Sequence, residues 1–270
     1  MKILVVRIGR AGDMVMITAA LSALIKKYPT AEITILTSPD GRRVLKGFHP
    51  QIKNFWLLER KKLFPYFQRR QINRDIQQTG FQHIFCFETK ASFAKLFNGS
   101  KARQHILQEI KNSEINFAER CLHLVDFSFT KKQFPVFLPL HDDARERAKT
   151  ILHNTGTTDE TFLIGIHPSY SGLGKKFGRN KKSLPHRNWP ISHWGELCKK
   201  INNYAKKKKL NIQIIMDLMP EEKELGLAII VASGNTVDLI TPPPDFERYK
   251  ATLARMDLLI VPNTGPMHIA

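Results

Sequence analysis

The sequence predicts an α/β protein built from two Rossmann-like domains that face each other across a cleft. Three observations lead there. Apolar runs of strand length alternate with amphipathic stretches of helix length. The alternation starts afresh near the middle of the chain, as it does when two α/β units follow one another. The length of 270 residues accommodates two domains of ordinary size.

The elements follow in order. Ile3-Leu4-Val5-Val6 is a continuous apolar run, the mark of a strand buried on both faces of a parallel sheet. Gly9 and Gly12 punctuate the turn after it. A helix is expected from Met14 to Lys27, ending ahead of Pro29 because the residue before a proline disfavours helical geometry. Glu32 to Thr37 supplies the next strand and completes a βαβ unit. Asn54 to Leu58 reads as a strand, Tyr66 to Gln78 as a basic helix and His83 to Phe87 as a strand. Asp126 to Pro139 is rich in Pro, Phe and Lys and lacks a period, so the boundary is set there, giving domains 1–140 and 141–270.

The second half opens with a connecting helix, Asp143 to Asn154, and a strand, Phe162 to His167. Ser192 is expected to cap a helix running to about Lys206, and Asn211 to Met216 forms the next strand. Pro220, with Glu221 and Glu222 behind it, suits the first turn of a helix. Asp245 caps a further helix, and Asp257 to Val261 is a strand. Asn263 to Ala270 reads as a strand-to-helix turn capped by Thr264, with Pro266 near the first helical position. The chain stops a few residues into that helix, so the second domain is expected to be cut short.

Composition narrows the function. Lys and Arg number 42 against 24 Asp and Glu, a formal net charge of +18 that points to anionic partners. Cys86, Cys121 and Cys198 are widely spaced and form no C-x-x-C pair, which argues against a disulfide framework or a zinc knuckle and favours a reducing compartment. The apolar run behind the initiating Met is too short for a signal peptide, and Met14 to Ile25 is shorter than a membrane span. A cytoplasmic protein that touches a membrane surface fits these features.

Several motif classes are absent. Gly9 and Gly12 make only G-x-x-G, short of the dinucleotide fingerprint. The glycine- and lysine-rich loop from Ser169 to Ser183 places Phe177 where a P-loop needs glycine, although it can still form an anion-binding flap or a solvated loop. No D-x-D, zinc spacing or G-x-S-x-G elbow occurs. What stands out instead is Asp13, a carboxylate beyond the carboxyl end of the first strand, able to act as a general base or to serve only as a helix cap. Arg187, ahead of Trp189-Pro190, can grip a diphosphate. The turn from Asn263 to His268 can bind phosphate oxygens through its backbone N–H groups. Glu222 can accept hydrogen bonds from ribose hydroxyls.

Taken together these stretches resemble glycosyltransferase family 9, the lipopolysaccharide heptosyltransferases. Arg7 to Asp13 resembles R-x-x-x-x-G-D, Arg187-x-Trp189-Pro190 resembles K-x-W-P, Pro220-x-Glu222 resembles G-P-x-E, and Asn263 to His268 resembles D-T-G-P-M-H. The chain differs at Ala19, where the family has proline, at Arg187 for lysine, at Asn263 for aspartate, and at Leu218-Met219 for a glycine pair. The resemblance implies a glycosyltransferase-B architecture with the acceptor on the N-terminal domain and an ADP-sugar on the C-terminal one. It implies inverting transfer of heptose from ADP-L-glycero-D-manno-heptose to a Kdo or heptose of the lipopolysaccharide inner core, without a metal or other cofactor. Asp13 then corresponds to the catalytic base, Arg187 to a contact with the donor diphosphate, Glu222 to the ribose contact, and Thr264, Gly265 and His268 to the phosphate-facing turn. Arg60, Lys61, Lys62 and Lys90 are expected to meet the anionic acceptor and the cytosolic face of the inner membrane. Nucleic acid is not an expected partner on this reading. Two alternatives remain open: a non-catalytic remnant that binds anionic lipid or nucleic acid, and a transferase of the same architecture with another nucleotide sugar.

Overall fold

The central strands are apolar and buried on both faces, whereas the edge strand over Arg103–Ile106 is polar and partly exposed. A computed structural model describes residues 1–58, 65–110, 114–170 and 189–270. They form two compact units, Met1–Pro139 and Leu140–Ala270.

The first unit runs β1 (Lys2–Val6), α1 (Ala11–Val15), α2 (Thr18–Lys27), β2 (Glu32–Thr37), α3 (Pro39–Leu45), β3 (Ile52–Leu57), α4 (Pro65–Thr79), β4 (His83–Cys86), α5 (Ala91–Ala94), β5 (Arg103–Ile106) and α6 (Phe117–Val125). Its five strands are parallel in the order β3-β2-β1-β4-β5. Leu4, Val6, Leu36, Ile84 and Cys86 pack on one face against Ile72, Ile76 and Phe97. By strand alternation Ile3, Val5, Ile33, Ile35 and Phe85 turn to the other face, and all are fully buried.

The second unit runs α7 (Asp142–His153), β6 (Phe162–Ile166), α8 (Ile191–Lys208), β7 (Ile212–Asp217), α9 (Lys223–Ala232), β8 (Asp238–Ile240), α10 (Phe246–Arg255), β9 (Leu258–Ile260) and α11 (Gly265–Ile269). Its four strands are parallel in the order β8-β7-β6-β9. Ile164, Ile166, Ile214 and Met216 pack with Trp194, Cys198 and Ile229 of α8 and α9, while Leu163, Ile215 and Ile240 meet Leu152 on the opposite face. Both units are therefore Rossmann-like. Among the described residues no helix is long and apolar enough to cross a membrane.

Four local expectations need correction. The opening helix is not continuous from Met14 to Lys27. It starts at Ala11, breaks after Val15 and resumes at Thr18. The Thr18 hydroxyl donates to the Val15 carbonyl oxygen at 2.8 Å, and the Ile17 N–H reaches back only to Met14, which tightens the chain out of the α ladder. Ser192 does not cap α8, because the helix already begins at Ile191 and the His193 and Trp194 N–H groups donate to the Pro190 carbonyl. Pro220 opens a short 3₁₀ turn rather than the α-helix, which leaves Glu222 at the N-cap of α9. Thr264 occupies the N-cap of α11 by its backbone, but its buried hydroxyl makes no cap bond.

Candidate active site

In an open parallel sheet, ligands collect beyond the carboxyl ends of the strands, where the strand order reverses. In the first unit that place lies between β1 and β4. Arg7 follows β1, and its N–H donates to the Leu36 carbonyl at 3.1 Å, so it leaves the sheet in register with β2. Its side chain turns to Asp13. Nη2 donates to Asp13 Oδ1 at 2.7 Å, and Nη1 donates to the Phe87 carbonyl at 3.0 Å. Glu88, just past β4, accepts the Ile8 N–H at 2.7 Å and lies 3.7 Å from Arg7 Nη1. The Arg7 guanidinium also stacks over the Phe117 ring, 4.6 Å from its centroid.

Asp13 is thereby held at both oxygens. Oδ2 accepts the Arg10 N–H at 2.9 Å, a capping contact at the first turn of α1. The side chain is still 43% exposed, so lone pairs remain for a ligand. Gly9 makes this arrangement possible, because a Cβ there would fall 2.2 Å from Asp13 Cβ. Ser38, the N-cap of α3, donates its hydroxyl to the Gly9 carbonyl at 2.6 Å and pins the turn. Lys90 stands exposed at the N-cap of α5, two residues beyond Glu88 and so at the same sheet edge.

In the second unit the order reverses between β6 and β9. His167 follows β6, and its N–H donates to the Ile260 carbonyl at 3.0 Å. Two residues on, the buried Ser169 hydroxyl donates to Glu222 Oε1. Glu222 Oε2 accepts the Met219 N–H at 3.2 Å. Burial lowers the His167 imidazole below its ordinary value, opposed by the Glu222 charge. Asp217, at the end of β7, forms a buried ion pair with Arg248 of α10, whose Nη1 also donates to Thr252 Oγ1 at 3.3 Å. Desolvation outweighs the arginine and pushes Asp217 up to about 6. His167 Nδ1, Tyr249 Oη and Thr264 Oγ1 are buried without a hydrogen-bond partner among the described residues. Buried polar atoms are nearly always bonded, so this carboxyl edge carries unspent hydrogen-bonding capacity of the kind a polar ligand uses. Gly265 and His268 lie on α11, which begins directly after Thr264 and has Pro266 in its first turn.

Asp13 and Lys90 thus share one carboxyl edge, and Glu222, Thr264, Gly265 and His268 stand beyond the strands of the second sheet. Arg60, Lys61, Lys62, Arg187 and the loop 171–183 lie outside the described residues. The residues that sequence reasoning missed are Glu88 and Ser169, each brought to its partner by a parallel crossover rather than by a local motif. Cys86, Cys121 and Cys198 are free and buried, and burial raises each thiol, to about 12 for Cys86 and Cys121 and about 11 for Cys198. Among the described residues no group of three His, Cys, Asp or Glu is placed to hold a metal ion. A cavity of about 470 Å³ between α7 and α10 lies at the amino ends of β6 and β9, lined by His153, Thr157, Ala251 and Arg255, and contains none of the candidate residues.

No protein-family model matches the chain, and no curated protein sequence matches it. Solved structures do. The chain is similar to a glycosyl transferase family 9 protein from Veillonella parvula, with 16% identity over 99% of this chain and 76% of that one, at a TM-score of 0.73. It is similar to E. coli ADP-heptose lps heptosyltransferase II, at 17% identity, 100% and 81% coverage and a TM-score of 0.68. It is also similar to E. coli heptosyltransferase WaaC with ADP-2-deoxy-2-fluoro heptose, at 15% identity, 100% and 85% coverage and a TM-score of 0.65. At these identities the likeness establishes the fold, the one those glycosyltransferases share. UDP-GlcNAc 2-epimerase from Methanocaldococcus jannaschii matches at a TM-score of 0.51, so the fold alone does not decide the reaction.

Proposed function

We propose that this protein is an inverting glycosyltransferase that moves a heptose from ADP-L-glycero-D-manno-heptose to an inner-core Kdo or heptose of lipopolysaccharide, without a metal. The observation that carries the reading is Asp13: an exposed carboxylate at the switch point of the first sheet, oriented by a guanidinium and a backbone N–H. The names of the structural neighbours, an ADP-heptose lps heptosyltransferase among them, support the donor. The sequence motifs around Arg187, Glu222 and Thr264 support it independently.

On this reading the acceptor hydroxyl attacks the anomeric carbon while Asp13 takes its proton. The new C–O bond forms as the bond from the anomeric carbon to the diphosphate breaks, so configuration inverts. ADP carries away the negative charge, which Arg187 and the N–H groups of Thr264 and Gly265 stabilise; the first N–H groups of a helix have no partner within it. Glu222 and Ser169 hold the donor ribose, and His268 sits beside the phosphates. General-base assistance from Asp13 is worth about 10²–10⁴-fold in rate. Arg60, Lys61, Lys62 and Lys90 draw the anionic acceptor and keep the protein peripheral on the cytosolic face of the inner membrane, so binding to acceptor-bearing vesicles falls as salt rises.

Met219 is 39% exposed beside Glu222, where the family has glycine, whereas Leu218 is buried in the core. That bulk at the donor edge favours, as the second reading, a nucleotide sugar other than ADP-heptose. The test offers ADP-L-glycero-D-manno-heptose and a panel of other nucleotide sugars with Kdo-bearing lipid A, and follows nucleotide release and product mass. Heptosylated lipid from ADP-heptose supports the first reading. Turnover of a different donor supports the second, and no turnover with any donor overturns both.

A further inference from the structure

Arg7 stands between two carboxylates, of which the proposed transfer uses only Asp13. It donates to Asp13 Oδ1 at 2.7 Å on one side and lies 3.7 Å from Glu88 Oε1 on the other. The Phe87 carbonyl at 3.0 Å and the Phe117 ring at 4.6 Å fix the guanidinium from two further directions. Side-chain exposure falls from 43% at Asp13 to 13% at Arg7 and 6% at Glu88, so the set runs from solvent into the unit. Glu88 in turn accepts the Ile8 N–H, which ties it to the same turn that bears Asp13.

The charge count gives the arrangement a purpose. An arginine paired with an aspartate alone is neutral, and such a pair resists protonation of the carboxylate. Glu88 brings the three groups to a net charge of minus one before proton transfer and zero after it. We propose that Arg7 and Glu88 are positioning residues for Asp13, the arginine aiming the carboxylate and the buried glutamate offsetting the arginine's charge so that Asp13 can accept the hydroxyl proton. This rests on the transferase reading for its catalytic meaning. The transfer balances: the proton leaves the acceptor oxygen for an unshared pair on Asp13, and the same oxygen closes the bond to the sugar.

The other titratable groups on the packed elements do not supply that charge. Cys86 on β4 and Cys121 on α6 are thiols held neutral by burial. On α6, Arg120 donates to the Gln108 carbonyl, Glu119 pairs with Lys131 at 2.9 Å, and His123 packs on Phe127. On α3, which packs against α1, Asp40 pairs with Arg43 at 3.2 Å and Arg42 is exposed. Arg10 and Lys90 are exposed to solvent.

The test labels aspartate carboxyls with ¹³C, assigns Asp13 by the signal lost in Asp13→Asn, and titrates it in wild type, Arg7→Met, Arg7→Lys and Glu88→Gln. Removing an opposite charge at this distance raises a carboxylate's midpoint by about one pH unit or more, so Arg7→Met moves it up. Glu88→Gln moves it down, and Arg7→Lys leaves it near wild type. With ADP-heptose and Kdo-bearing lipid A, the acid limb of kcat follows the same directions, while the KM for donor is unchanged in Glu88→Gln. A merely structural role would not drive the two variants in opposite directions. Midpoints that stay put, or that move the same way in both, overturn the proposal whatever the substrate. If Arg7→Met does not fold, an unshifted or upward midpoint in Glu88→Gln alone overturns it. Separated midpoints in a protein that turns over no nucleotide sugar support the electrostatic assignment and overturn the transferase reading.

Discussion

Gly9→Ala puts a methyl group where Asp13 folds back over its own turn. The added Cβ would lie 2.2 Å from Asp13 Cβ and 2.8 Å from its Cγ and Oδ2. Ordinary contact begins near 3.4 Å, so one partner has to give way by about 1.2 Å. The turn is pinned, since the Gly9 carbonyl accepts the Ser38 hydroxyl at 2.6 Å and the Ile8 N–H is held by Glu88 at 2.7 Å. Asp13 therefore moves, and its bonds to Arg7 and to the Arg10 N–H lengthen beyond use. Overpacking of this size costs about 1–3 kcal/mol of stability. A catalytic group misplaced by about 1 Å costs about 10²-fold in rate. The assay pairs kcat for ADP release with calorimetric affinity for ADP and urea unfolding. The expected result is a folded variant with kcat lowered about 100-fold and ADP affinity unchanged, since the candidate donor contacts belong to the other unit. A folded Gly9→Ala variant with kcat within about threefold of wild type would refute the reasoning.

Three further outcomes follow from the second unit. Glu222→Ala removes a charged acceptor worth about 1.5–3 kcal/mol, so the Kd for ADP rises about 10–100-fold by calorimetry, and an unchanged Kd removes Glu222 from the donor contacts. Asp217 is raised to about 6 in the fold against an unfolded value near 4, so the folded state binds the extra proton between those limits. Its contribution to stability is present below about pH 4 and is lost as pH rises through about 6; Asp217→Asn flattens that part of the urea midpoint against pH, and an unaltered profile contradicts the assignment. Arg248→Met leaves the buried carboxylate unpaired and lowers stability by about 3–5 kcal/mol, most of which returns when Asp217→Leu is added.

The sequence made some of this legible and hid the rest for physical reasons. The run Ile3 to Val6 announces a strand because burial on both faces demands unbroken apolar side chains, and the strand appears at Lys2–Val6. The helix α3 was passed over in the sequence, and the structure shows it starting behind Ser38, whose hydroxyl accepts the Gly41 N–H at 3.1 Å. The break at Met16 and Ile17 was hidden, because it depends on a Thr18 hydroxyl taking a helical carbonyl, which composition does not report. Asp13 is readable from the turn that carries it. Glu88 is not, because it reaches Ile8 and Arg7 only through the β1–β4 pairing, which brings Val6 beside Cys86. Ser169 meets Glu222 in the same way, after the β6–β7 pairing sets Gly165 beside Ile215. Thr264 has the residue type of a cap and the position of one, but its hydroxyl is turned into the unit instead of along α11.

Transfer depends on proton acceptance by Asp13 in the proposed reaction, and Asp13→Asn removes that with the least change of shape. With ADP-heptose and Kdo-bearing lipid A, the variant should bind ADP as wild type does and lose about 10²–10⁴-fold in the rate of heptose transfer. Transfer at a rate near wild type, with donor affinity intact, would contradict it.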